Sequence, residues 1–184
     1  METGIAPGSS SLPVHLQFAL DIALDALCSW AADPSAFRDV LRDVFRVQHT
    51  AKAAAQLQQQ LLHRTFITPE ISLLDPQAIG TAFAAYSSPD HNQPAQIFLN
   101  SSWLRSATNQ QLQAVLLEEL GHAIDHSLNG NDDSPGDEGE RFSSLSRGLT
   151  PPPAALSSTA AVQPKEAAPA SPAPVMSEVM ASLI

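Results

Sequence analysis

Cysteine is nearly absent: Cys28 is the only one in 184 residues. No intrachain disulfide can form, no cysteine-based zinc knuckle can be built, and the fold cannot depend on oxidation. Positive charge is also scarce, with 9 basic against 19 acidic residues and a net charge of −10. That balance argues against nucleic acid and against docking on anionic lipid, and it favours a cation as ligand. Long apolar runs are missing too. Residues 1–12 have neither a basic start nor a continuous apolar stretch, and the run from Leu16 to Trp30 is broken by Asp21 and Asp25. We therefore expect no Sec-type signal and no membrane insertion. What is present, 43% hydrophobic residues, suffices for the core of one domain.

The chain divides into a flexible lead-in (1–12), a domain (13–148) and a Pro/Ala/Ser-rich tail (149–184). In the domain, Leu16, Ala19, Leu20, Ala23, Leu24 and Leu27 form one helical stripe. Asp33-Pro34-Ser35 opens a second helix, with Phe37, Val40, Leu41, Val44 and Phe45 on its inner face. A third covers Thr50 to Arg64. From Ile71 the texture becomes β-like: Ile71–Leu74 closed by an Asp75-Pro76 turn, then Thr81–Tyr86, a turn at Ser88–Asn92, and Gln96–Asn100 pairing with the preceding strand as a hairpin. After Arg147, Thr150-Pro151-Pro152-Pro153 begins a composition that cannot bury enough apolar surface to fold and reads as a semi-extended linker. The last ten residues, Val175–Ile184, are apolar and short.

The chemistry concentrates in Glu118-Glu119-Leu120-Gly121-His122, which has the form H-E-x-x-H with glutamate at the first position. Thr108 and Gln111 make a capping-box start, and Asn129-Gly130 a left-handed stop, so the pentapeptide sits on a helix of roughly 20 residues. Residues four apart share a helix face, which lets Glu118 and His122 reach one metal ion while Glu119 activates a water. Gly121 costs a helix interior about 1 kcal/mol relative to alanine, so close packing is expected there.

Ile97–Asn100, Leu116–Asp125, Pro135-Gly136-Asp137-Glu138-Gly139 and Phe142 together resemble a domain at the N-terminus of large cyanobacterial secreted proteins. Such proteins often carry haemolysin-type calcium-binding repeats or adhesin-like modules. More distantly, the strand followed by an E-E-x-G-H helix is similar to zincin metallopeptidases, whose helix reads H-E-x-G-H. The resemblance implies an α+β, zincin-like fold with N-terminal helices, a short antiparallel sheet, the motif helix and a following helix. It also implies a third metal ligand on that later helix, for which Glu138 is the choice and Glu140 the substitute, with Glu119 as general base; His126, four residues after His122 on the motif helix, is the other substitute. Zinc is the leading metal. The carboxylate at position 118 makes Mn²⁺ or Ca²⁺ admissible. Two functions follow: a metallopeptidase-like domain acting on a polypeptide, or a non-catalytic structural or binding module with a protein partner. The location is either outside the cell by a Sec-independent route or the cytoplasm.

Other readings are weaker. Glu119-x-x-His122 is half of a di-iron motif, but no second E-x-x-H occurs. Asn129, Asn131, Asp133, Asp137 and Glu140 take the spacing of an EF-hand loop, yet Ser134 stands where its glycine belongs. Cys28, beside the apolar stripe, is expected to pack rather than react. Asp125 is a candidate to orient the His122 imidazole, or else a solvated residue.

Overall fold

The three N-terminal helices form where the sequence places them: α1 (Val14–Ala32), α2 (Pro34–Asp43) and α3 (Ala51–Leu62). The structure, a computed structural model, describes residues 12–45, 50–130 and 137–150. The lead-in and the Pro/Ala/Ser-rich tail read from the sequence lie outside these, except for residues 12, 149 and 150. Burial of Leu16, Ala19, Ala23, Leu27 and Trp30 on one side of α1 confirms its apolar stripe. Asp33 starts α2 by accepting hydrogen bonds from the N–H groups of Ser35 and Ala36 at 2.8 and 3.0 Å, with Pro34 at the first helical position.

Three strands follow, β1 (Glu70–Leu74), β2 (Ala84–Ser87) and β3 (Gln96–Asn100), in the spatial order β1-β3-β2. The hairpin of β2 and β3 is antiparallel, as expected. In contrast, β1 runs parallel to β3, so the sheet is mixed rather than antiparallel. The reason is connection length. Between β1 and β3 the chain makes a whole crossover, residues 75–95, which includes β2 and is long enough to return in the same direction.

Part of that crossover is α4 (Pro76–Ile79), a helical turn where a plain turn is expected, capped by Asp75 and ended by Gly80 at φ 69°. Gly80 and the two residues after it therefore complete the turn, and β2 begins at Ala84 instead of Thr81. Likewise the connection after β3 contains α5 (Ser101–Leu104), capped by the Asn100 side chain.

The motif helix, α6, spans Asn109–Asn129, with the Thr108–Gln111 capping box formed and Gly130 ending it at φ 64°. Asp137 caps α7 (Glu138–Ser146). The domain is thus α+β, with seven helices and one three-stranded sheet among the described residues. Its core runs from Ile97 and Leu99 of β3 through Leu116, Leu117, Leu120 and Ile124 of α6 to the α1 stripe. Phe142 binds α7 into that core, its ring centroid 5.0 Å from Trp30 and 5.5 Å from Phe45.

Candidate functional site at the crossing of α6 and α7

Two glycines set the geometry. A Cβ on Gly121 would lie 3.0 Å from the Gly139 Cα and 3.1 Å from the Phe142 ring, which is the close packing the sequence suggests. A Cβ on Gly139 would lie 2.6 Å from His122 Nε2 and 2.7 Å from the backbone oxygen of Glu118. Without side chains at these positions, α7 approaches α6 closely enough to bring Glu138 onto His122.

His122 Nδ1 and Glu138 Oε1 are 2.8 Å apart. Glu138 is buried, while 29% of the His122 side chain remains exposed. The carboxylate thus meets Nδ1, while Nε2 lies toward Gly139, and the two residues proposed from sequence sixteen positions apart do come together. Glu119, one residue before Leu120 on the same helix, is 5% exposed, and the backbone N–H of Tyr86 is close enough to draw its carboxyl down. The Tyr86 ring stacks over His122 with centroids 6.4 Å apart and planes inclined by 16°.

Burial pushes the Glu119 carboxyl up to about 7, against the opposing pull of His122 and of the Tyr86 N–H. Glu118 is raised to about 7 as well, first by burial and then by the charges of Asp137 and Glu140. For His122, burial alone would favour the neutral ring. The Glu138 hydrogen bond and the charges of Glu138, Glu119 and Asp137 outweigh it and raise the imidazole to about 9. The cluster therefore sets a charged histidine beside Glu118 and Glu119, two carboxyls raised to about 7, an arrangement able to give and take protons.

The remaining candidates are less involved. Glu140 is exposed in the first turn of α7, and its N–H serves the Asp137 cap at 2.8 Å. His126 is half-buried in the last turn of α6. Asp125 is neither solvated nor the partner of His122: it is buried and accepts from Asn129 Nδ2 at 2.7 Å. The EF-hand spacing places Asn131 and Asp133 outside the described residues, and Asp137 is engaged as a helix cap. Among the described residues, no three His, Cys, Asp or Glu side chains are grouped so as to hold a metal ion. Nor, among them, is any helix long and apolar enough to cross a membrane.

Tyr86 was not legible as a site residue. It enters through strand register, because its N–H faces away from β3 and toward α6, and no local pattern encodes that. No protein-family model matches the chain, and neither does any curated protein or solved structure.

Proposed function

We propose that the face of α6 against α7 is a weak divalent-cation site on a metallopeptidase-like, zincin-like scaffold whose substrate class is polypeptide. The observation that carries this reading is the hydrogen bond from His122 to Glu138. With Nδ1 taken, Nε2 is the ring nitrogen left for a ligand once the charged imidazole gives up a proton, so a cation competes with that proton, and the carboxylate behind the ring strengthens it as a donor. On this reading Glu118 and His122 hold the ion, and Glu138 orients His122 instead of acting as the third ligand.

Two protein donors fall short of the three usual at a catalytic zinc. Weak binding follows, with zinc suited to the nitrogen donor and Mn²⁺ or Ca²⁺ to the carboxylates. A bound cation would supply polarisation of a peptide carbonyl and activation of water. The chain's own contribution is Glu119, whose titration near neutrality fits a group that takes a proton and returns it.

A second reading, a non-catalytic module that binds a protein partner, is favoured by a separate observation. Glu119 and Glu138 already serve the fold, one holding the Tyr86 N–H and the other holding His122. Zinc titration and hydrolysis of a mixed peptide library separate the two. Glu118→His should bind zinc at least about tenfold more tightly than the natural chain and reveal cleavage, because it completes a two-imidazole face. Adding Glu119→Gln should abolish the cleavage and leave the zinc. If Glu118→His gains no zinc affinity, the metal reading is lost; if it gains zinc and cleaves nothing, the binding module is the better account.

A further inference from the structure

Among the described residues, no strand pairs with the outer edge of β1, the edge opposite the site. The N–H of Glu70 bonds to the Ala95 oxygen at 3.0 Å, and the parallel register pairs Glu70 with Gln96 and Ser72 with Phe98. In a parallel pair, alternate residues bond to the neighbouring strand. Glu70, Ser72 and Leu74 therefore face β3, while the backbone groups of Ile71 and Leu73 point away from it. Leu73 is 43% exposed, and Ile67, just before the strand, is 87% exposed. Edges of this kind are ordinarily protected by charged side chains, proline or a bulge. In Glu70-Ile71-Ser72-Leu73-Leu74 the one charge is at the start, there is no proline, and the register is unbroken.

We propose that β1 is the pairing edge for a second copy of this chain, the two strands running antiparallel about a two-fold axis through Ser72. Self-complementarity argues for that occupant. Ile71 meets Leu73 of the other copy, and these are the residues with outward backbone groups, so each of the two equivalent pairs forms both of its hydrogen bonds. Their side chains fall on one face, apolar against apolar. Charge agrees locally. Glu70, the one charged residue of β1, lies opposite Leu74 of the other copy and not opposite its own image, so no like charges meet across the axis. The two three-stranded sheets become one of six strands, and the β2 edge beside α6 takes no part in the pairing.

The test uses the whole chain. Sedimentation over a range from micromolar to hundreds of micromolar should show a dimer whose fraction rises with concentration, and rises again with salt, which screens the −10 charge on each copy. Amide exchange at Ile71 and Leu73 should slow with concentration. Leu73→Lys should weaken association by about tenfold or more by placing charge on the shared apolar face. Leu73→Pro should do the same by removing a donor that does not face β3, with the thermal midpoint of the monomer preserved. A monomer throughout the range overturns the proposal. So does a dimer indifferent to both substitutions, or a monomer in which Ile71 and Leu73 already exchange slowly, since the edge would then be covered from within one chain.

Discussion

At one edge of the sheet, β2 gives the outward N–H of Tyr86 to Glu119, a buried carboxyl of the motif helix; at the other, β1 turns the backbone groups of Ile71 and Leu73 away from any described partner. The contrast teaches that the motif helix is also an edge cap. The same glutamate proposed as general base sits beside the outward donor of a half-buried edge strand. Chemistry and folding compete for that carboxyl, whereas among the described residues nothing engages the outer edge of β1.

The largest effect should come from closing the gap through which α7 reaches the motif helix. In Gly139→Ala the new methyl would collide with a backbone oxygen, which cannot move aside as a flexible side chain could, and with an imidazole already pinned by Glu138. A loss of about 3 kcal/mol is expected in urea denaturation, at the upper end for overpacking. Gly121→Ala should cost less, its nearest contacts being 3.0 Å and beyond. Amide exchange should quicken at Tyr86 and stay unchanged at Ile71. An equal change at both would mean that the two edges are not independent.

Next in size is the cap itself. Glu119→Ala takes away the carboxyl beside the half-buried Tyr86 N–H and should cost about 1 kcal/mol, while Glu119→Gln keeps an acceptor oxygen and should cost less. Stability curves of the two variants decide the matter. If alanine is no worse than glutamine, Glu119 does not hold the edge, and its burial must be explained by function.

The pH dependence of the metal-free protein sharpens the same contrast, because the carboxyls and the imidazole with raised values all lie on α6, the helix beside β2. Glu118 and Glu119 rise from 4.5 to about 7, and His122 from 6.5 to about 9. A group raised in the folded state contributes stability that is full below its unfolded value and lost as pH rises through its folded value. All three therefore act in one direction, and the urea midpoint should fall steadily between about pH 5 and 9. Asp33, lowered from 3.8 by the N–H groups of Ala36 and Ser35, acts oppositely in strong acid. With Glu138→Gln, the part of the decline between 6.5 and 9 should shrink. An unchanged decline would show that Glu138 does not hold the His122 proton.

Local chemistry in the sequence accounts for most of the helical frame. Asp33-Pro34, Thr108 with Gln111, and Gly130 mark boundaries because capping involves only residues three or four apart. The hairpin was legible for the same reason. The direction of β1 was not, since it depends on the path of the whole crossover. Within the site, the i, i+4 relation of Glu118 and His122 and the approach of Glu138 were legible in type and spacing. The ring nitrogen that Glu138 meets was not: it is fixed by how closely Gly121 and Gly139 let two helices cross. Glu119 was recognised as an acid, but its strand partner could be found only once the alternation along β2 was known.

The smallest effect should come from removing residues 151–184. Their composition, opening with Pro151-Pro152-Pro153 and continuing in alanine, proline and serine, offers little apolar surface to bury until Val175–Ile184. A segment that buries little contributes little, so the truncated chain should unfold within about 0.5 kcal/mol of the full one. The measurement bears directly on the two edges, because an apolar segment on a linker of this length could reach either. If truncation lowers stability by more than about 2 kcal/mol and exposes Ile71 and Leu73 to faster exchange, the β1 edge is covered by the chain's own end. If instead stability is kept while dimerisation persists, the open edge belongs to the folded domain itself, and the contrast between a capped strand and a free one is a property of residues 12–150.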